Sequence, residues 1–578
     1  MKKRLSIFLA ALLLLSGCST VAPDTTVPPT NVPAELSFSG TMDYAEEEIP
    51  YASRFDTETA IVLSDDGITV NGGEETDTVF TSHDIIYYED RDSYESGNPY
   101  GEGEAADKHT AEAADSHMVV NITAPGAYRV SGKLSAGQIR IDLEEDAYDD
   151  ENAVVELILD SADITCTVAP AILFLNTYEC DGEWSTDTAK ADVDTSAAGA
   201  NLILEGENIV SGSYVAKIYK DKEGEKKLWK QDGAIYSYMS LNVFGPGSLV
   251  LNAENEGLDS ELHLTINGGN IAIFSGNDGI NTNEDGVSVT TINGGFLHIT
   301  AGLGAEGDGI DSNGYLVING GTVISSANPG ADAGLDSDLG SFIHGGTVIA
   351  LGSTMDWAES QSGQVTMNLQ FQQNQSSAPI VVTKEDGTVV FAYDPGQDTL
   401  LDGSRRSFMG AILSCPGLTQ GEAVLVFLNG QLSGTHTNGL YTSVSGYDSG
   451  VQMQYTGSDL KGGMGGMVPP EGFDGERPEG IGGNMQNGME PPEGFDGEMP
   501  TMPEGMEPGQ MPTPPEGETF PAGEIPAFPQ GQVPERPQGG FGGPGDRGQG
   551  GQPVGEGSAL FFLQDKVNAF SGVASISN

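Results

Sequence analysis

Ile266-Asn267-Gly268-Gly269-Asn270-Ile271 returns as Ile292-Asn293-Gly294-Gly295-Phe296-Leu297. It returns again as Ile318-Asn319-Gly320-Gly321-Thr322-Val323 and as Ile343-His344-Gly345-Gly346-Thr347-Val348, at steps of 26, 26 and 25 residues. A second anchor accompanies each copy: Gly257-Leu258-Asp259-Ser260, Gly279-Ile280-Asn281-Thr282, Gly309-Ile310-Asp311-Ser312 and Gly334-Leu335-Asp336-Ser337. Self-similarity of this kind marks a stacked architecture, in which each repeat buries its apolar face only against its neighbours. Within a copy, apolar and polar residues alternate as they do in strands, and the glycine pairs keep the strands short. Three short strands in ~25 residues fit one rung of a parallel β-helix. A propeller blade needs four strands and ~40 residues or more. Degenerate copies run upstream through Leu202, Leu204 and Ile209, and through Phe244, Leu249 and Leu251. The glycines are expected at corners with φ > 0, and Asn267, Asn293 and Asn319 in a side-chain amide ladder.

The flanks differ in kind. From residue 364 to 457 the repeat vanishes, and runs such as Val424-Leu425-Val426-Phe427-Leu428 between glycine turns predict a small antiparallel β domain. Residues 458–557 are dominated by Pro, Gly, Met, Glu and Gln, and the eight residues Pro469–Glu476 recur verbatim at Pro491–Glu498. Such a composition cannot bury a core and is expected to be disordered. Residues 558–578 turn apolar again, with Leu560, Phe561, Phe562 and Leu563, and are expected to dock back onto a folded domain.

At the N-terminus, Lys2, Lys3 and Arg4 precede an apolar run from Leu5 to Leu15. The pattern predicts a secretory signal over 1–17, too short to span a bilayer. Leu15-Ser16-Gly17-Cys18 resembles the bacterial lipobox, which implies cleavage before Cys18 and lipidation of its sulfur. Residues 18–50, rich in Thr and Pro, then read as a tether. The expected location is the surface of a bacterial cell, with the lipid as the attachment to the membrane.

With 24 Lys+Arg against 85 Asp+Glu the formal charge is −61. Nucleic acid is thereby excluded as a partner, because phosphate contacts need a basic face, and an anionic lipid surface is an equally poor match. Glycine, at 81 residues, is about twice its usual share. Of the cysteines other than Cys18, Cys166 and Cys180 could pair and leave Cys415 free, or all three could be buried thiols; none sits at zinc-ligand spacing.

From about Phe55 to Ser362 the chain is similar to the bacterial carbohydrate-binding β-helix family, whose described member binds cellulose and pectic acid and carries calcium. The resemblance rests on Asp278-Gly279-Ile280, on Asp308-Gly309-Ile310-Asp311-Ser312, and on the Asn-Gly-Gly anchors that follow. It extends to Gly137-Gln138-Ile139, to the run Val155–Ile164, and to Pro170-Ala171-Ile172. It implies an all-β chain with a right-handed parallel β-helix over 51–363, the hand also following from the chirality of parallel β connections. It further implies calcium as cofactor and a pectic or cellulosic polysaccharide as partner. The chain departs from the family in its insertions at 87–117, 178–195 and 214–230.

The acidic residues carry the candidate chemistry. Asp259, Asn281, Asp311 and Asp336 share one column, with Asp278, Asp308 and Asp332 beside it. Rungs about 4.8 Å apart cannot stack these groups as bare anions, and calcium takes six to eight such oxygens. The alternative is that these side chains cap turns by accepting local N–H groups. Tyr236, Tyr238, Tyr315 and Trp357 are candidate aromatic platforms for a neutral glycan, or packing residues. A uronate lyase needs a basic residue to take the C5 proton, and no Lys or Arg occurs between Lys230 and Lys384. His263, His298 and His344 fall on strands with apolar neighbours and read as ladder positions. The function expected is calcium-associated polysaccharide binding at the cell surface without catalysis. A calcium-stiffened surface or adhesion protein with no specific glycan is the alternative, and a β-helix lyase or hydrolase a third.

Overall fold

The computed structural model describes residues 38–42, 49–88, 109–182, 185–222, 225–353, 355–376, 378–400, 407–458 and 557–576. The signal segment, Cys18 and nearly all of the low-complexity stretch lie outside the described residues. The chain divides into two units, 1–467 with 554–578, and 468–553; everything that follows concerns the first.

Regular structure is nearly all strand, as the alternation predicts; the one described α-helix is the single turn Ala111–Asp115. In the repeats the chain visits three parallel ladders in a fixed order. The first runs through Met118–Ile122, Gly137–Asp142, Ile172–Asn176, Gly233–Ser237, Glu256–Ser260, Ile280–Thr282 and Ile310–Ser312. The second runs through Gly126–Leu134, Val155–Thr165, Ala200–Glu205, Leu241–Phe244, His263–Ile266, Val289–Ile292, Tyr315–Ile318 and Gly340–Ile343. The third stacks Glu207–Gly212, Ser248–Ala253, Asn270–Ser275, Phe296–Thr300, Thr322–Ser326 and Thr347–Gly352. The sheets as a whole are large and mixed. Thr347–Gly352 pairs antiparallel with Ser407–Ser414, which carries the third ladder into the C-terminal β region. That region is not purely antiparallel: Val567–Ser575 lies parallel to Thr366–Ser376, and Phe561–Phe562 pairs with Ala423–Leu428.

Register converts the sequence repeat into columns. Ile266, Ile292, Ile318 and Ile343 follow one another across the second ladder, and Ile271, Leu297, Val323 and Val348 across the third. All eight are buried in one continuous core, each burial contributing on the order of 1.5–3 kcal/mol. The second glycine of every anchor, Gly269, Gly295, Gly321 and Gly346, has φ between +76° and +99°. A Cβ on Gly295, Gly321 or Gly346 would also sit 2.5–2.7 Å from the carbonyl oxygen of the equivalent glycine one rung below. Only glycine meets both demands. Beside them the amide ladder forms, Asn293 Nδ2 donating to Asn267 Oδ1 at 2.9 Å and Asn319 Nδ2 to Asn293 Oδ1 at 2.8 Å.

Parts of the stretch read as a free tether are seated on the body. Gly40–Thr41 pairs with Leu440–Asp448, and the Ile49 N–H donates to the Asn267 carbonyl at 3.0 Å. Tyr51 and Phe55 pack on Ala127, Ile158, Ile203 and Phe244 across successive rungs, while Glu156 accepts from Ser53 Oγ and the Arg54 N–H. The three thiols other than Cys18 are free, Cys166 and Cys415 buried and Cys180 half-buried, so Cys166 and Cys180 do not form a bridge.

The columns make the cost of a truncation predictable. Ile318→Ala leaves a cavity between two filled rungs and should cost about 2–5 kcal/mol, whereas Thr291→Ala, on the outward side of the same ladder, should cost under about 0.5 kcal/mol. Urea unfolding of the two variants checks the difference, and equal midpoints would contradict the interior column.

Candidate functional site

Alternation along the first ladder sends Leu258, Ile280 and Ile310 into the core and turns the next residue of each strand outward. Register then aligns Tyr236, Asp259, Asn281 and Asp311 on four successive strands. Asp336 continues this column, its N–H donating to the Ile310 carbonyl at 2.8 Å. Asp278, Asp308 and Asp332, on the turns that enter these strands, have a separate job. Asp278 Oδ1 accepts the Asp308 N–H at 2.6 Å, Asp308 Oδ1 the Ala333 N–H at 2.5 Å, and Asp332 Oδ2 the Gly307 N–H at 3.0 Å. The acidic set therefore separates into three carboxylates that cap turns from rung to rung and a column that does not.

The column is buried and incompletely satisfied. Asp259 is fully buried and Asn281 is 6% exposed. Asp259 Oδ1 accepts from Asn283 Nδ2 at 2.8 Å, and Asn281 Nδ2 donates to Glu256 Oε2 and Asn283 Oδ1, both at 3.1 Å. The other oxygens, Asp259 Oδ2 and Asn281 Oδ1, are buried acceptors that meet no hydrogen-bond donor. A proton shared between Glu256 and Asp259 would satisfy the Asp259 oxygen but not that of Asn281, whereas a cation would satisfy both. Two orphaned oxygens on adjacent strands are the donor type calcium takes, so the residues present fit such an ion. Among the described residues no three His, Cys, Asp or Glu side chains form a ready-made metal cluster; a site here draws on amide oxygens as well.

Burial dominates the electrostatics. It pushes the carboxyls of Glu256, Asp259 and Asp278 well above the usual range, with neighbouring carboxylates adding to the effect. It raises Asp308 to about 8, further lifted by Asp278, and Asp311 to about 7, further lifted by Asp336. Among the described residues one cation, which sequence reasoning missed, reaches this neighbourhood. Lys230 Nζ lies 2.7 Å from Asp232 Oδ2. Burial works against its charge, but Asp232, Glu256 and Asp259 outweigh that and hold it protonated. Its one trace in the sequence is that it is the last basic residue before Lys384.

The aromatic candidates fare differently. Tyr236 is corrected: it is fully buried, its hydroxyl bonded to Glu261 and its ring edge-on to Tyr238 at 5.1 Å, so it offers no face to a glycan. Outward from the core is not the same as exposed, since Glu261 and Tyr238 close over the ring. Trp357 is half-buried against the main core. Tyr315 is half-buried in a short strip that the sequence did not single out, 6.1 Å from the Phe342 ring, which lies nearly parallel to the exposed His344 at 6.3 Å. The signal was available, since Phe342 and His344 alternate with the interior Ile343. His263 and His298 are buried on their ladders, with Nε2 on Asp181 Oδ2 at 3.2 Å and on Asp398 Oδ2 at 2.5 Å respectively.

Residues 116–366 match a family model described as carbohydrate-binding domain-containing protein, and the family resemblance drawn from the sequence is shown over that stretch. Among solved structures, a polysaccharide lyase-like protein from C. thermocellum is 22% identical, with 49% of this chain and 91% of that chain covered and a TM-score of 0.30. No curated protein matches the chain.

A pH dependence follows from the raised carboxyls. Folded Asp308 and Asp311 hold their protons up to about pH 8 and about pH 7, against 3.8 for an unperturbed aspartate. Between these limits the native state binds more protons than the unfolded one, so unfolding free energy falls as pH rises. In EDTA, Tm should therefore be higher at pH 5 than at pH 8. Thermal melts read this directly, and a Tm that rises over the same interval would contradict it.

Proposed function

We propose that this protein binds polysaccharide at the surface of a bacterial cell, through calcium held on the acidic column, and does not cleave it. The observation that carries the reading is the pair of orphaned buried oxygens, Asp259 Oδ2 and Asn281 Oδ1, within a stretch that matches a carbohydrate-binding family. Asp259, Asn281 and Asp311, with Asp336 beyond, would hold the ion. Calcium would supply positive charge to a column of buried acids, and it is toward the half-buried Asp311 and Asp336 that the column would open to the carboxylates of a uronate polymer. Without it an acidic glycan and a protein of net charge −61 repel. The Tyr315–Phe342 strip is the proposed contact for a neutral, cellulosic chain.

The fold proposed beneath this site is a single right-handed coil. Three parallel ladders visited in constant order support that winding, and parallel β crossovers are almost always right-handed. The lipobox-like run ending at Cys18 supports an anchored, extracellular location.

The test uses protein beginning after Cys18, mixed with polygalacturonate or with cellulose, in calcium or in EDTA. Pelleted protein and soluble sugar products are measured together. The expected result is calcium-dependent co-pelleting with polygalacturonate and no release of unsaturated or reducing ends. Released ends would make the protein an enzyme, and absence of binding to either polymer would leave a calcium-stiffened surface protein.

A further inference from the structure

Lys230 stands beside a group of buried carboxyls. Its ammonium is 2.7 Å from Asp232 Oδ2, and Glu256, Asp259 and Asp311 all feel its charge. Asp232, Glu256 and Asp259 are each at most 8% exposed, while the Lys230 side chain is 39% exposed, so the lysine joins the buried acids to solvent. The backbone at its root is fixed: the Tyr238 hydroxyl donates to the Lys230 carbonyl at 3.4 Å and accepts from Gln231 Nε2 at 3.3 Å. The four-carbon stem beyond it is free to turn. The charged and titratable groups around it are Asp232, Glu256, Asp259, Glu261, Asp311, Tyr236 and Tyr238. Burial favours the protonated forms of Glu256 and Asp259, so the ammonium is offset most directly by Asp232. Asp259 Oδ2 and Asn281 Oδ1 nevertheless remain without a donor, so the ammonium neutralises this end of the column without satisfying it.

We propose that Lys230, paired with Asp232, is a tethered counter-ion whose charge opposes calcium at Asp259, and so sets the divalent affinity of the acidic column. The proposal rests on the reading of that column as a calcium site. A bound divalent ion and the neighbouring ammonium repel each other. Calcium entry therefore requires Lys230 to swing outward, and the energy of that displacement is subtracted from the binding energy. The device keeps the folded column neutral enough to persist when calcium is scarce and raises the concentration at which the metal loads.

Calcium alone, titrated calorimetrically into the full chain, tests this with Lys230→Met, Lys230→Gln and Lys230→Arg. Removing the charge should tighten calcium binding by about tenfold, and Lys230→Arg should stay close to the parent. In EDTA the Met and Gln variants should melt below the parent, and calcium should raise their Tm by more. Parent protein that binds calcium, with neutral variants binding no tighter, overturns the proposal and leaves the calcium reading intact. If neither parent nor variants bind calcium, the calcium reading fails and takes the proposal with it. A measurement on the parent alone guards against a misfolded variant. Acylation of Lys230 by an amine-reactive ester, read by peptide mass spectrometry, should accelerate when calcium is added. Unchanged or slower labelling in calcium contradicts the displacement.

Discussion

Carboxylates on successive strands of a parallel ladder stand about 4.8 Å apart, and at that distance a pair of like charges repels by roughly 3–4 kcal/mol at an effective dielectric constant of 20. A stack of acids can persist in a fold only if protons, hydrogen-bond donors or cations remove most of that repulsion. The first ladder uses all of these. Asp278, Asp308 and Asp332 accept backbone N–H groups from the neighbouring rung, Lys230 supplies a cation at one end, and burial favours the protonated form of Asp308 and Asp311. What remains is concentrated at Asp259 and Asn281. That unsatisfied remainder is what the proposed ion would neutralise.

The rest of the molecule allows such a column to exist. Parallel pairing in register, set by the isoleucine columns and by glycines that let one backbone approach the next, brings equivalent residues of each repeat to the same place. An antiparallel sheet would not stack identical side chains at constant spacing. The same register that builds the core therefore builds the acidic column on its outer side. The core and the acidic column share one geometric cause, and a slip of one residue would exchange the two faces.

The parts of this arrangement that depend on period alone were legible in the sequence. The isoleucine columns and the Asn267–Asn293–Asn319 ladder follow from near-equal spacing, and the alignment of Asp259, Asn281 and Asp311, at steps of 22 and 30 residues, follows from the motif that surrounds each of them. What depends on insertions was not. Lys230 ends the insertion at 214–230, which has no counterpart in neighbouring rungs, and the burial of Tyr236 under its contacts with Glu261 and Tyr238 is likewise outside what periodicity can place. The spacing sets Asp278 beside the column of Asn281, with only Gly279 and Ile280 between them, and leaves ligation and turn-capping open for both. Gly279 and Ile280 span the passage from turn to strand, where one side chain caps a backbone amide and the other joins the outward column. The mixed pairing after residue 347 was likewise hidden, since Val567–Ser575 is remote in sequence from its parallel partner Thr366–Ser376.

The account stands on a cation beside Asp259 and Asn281, and locating the metal in a crystal tests it most directly. Crystals grown in calcium and then exchanged into terbium would be measured at an absorption edge of the lanthanide. The account predicts an anomalous peak within coordination distance of Asp259 Oδ2 and Asn281 Oδ1, with Lys230 turned away from Asp232. A column with no peak, in which a proton shared between Glu256 and Asp259 satisfies the Asp259 oxygen and Lys230 keeps its place, would contradict it.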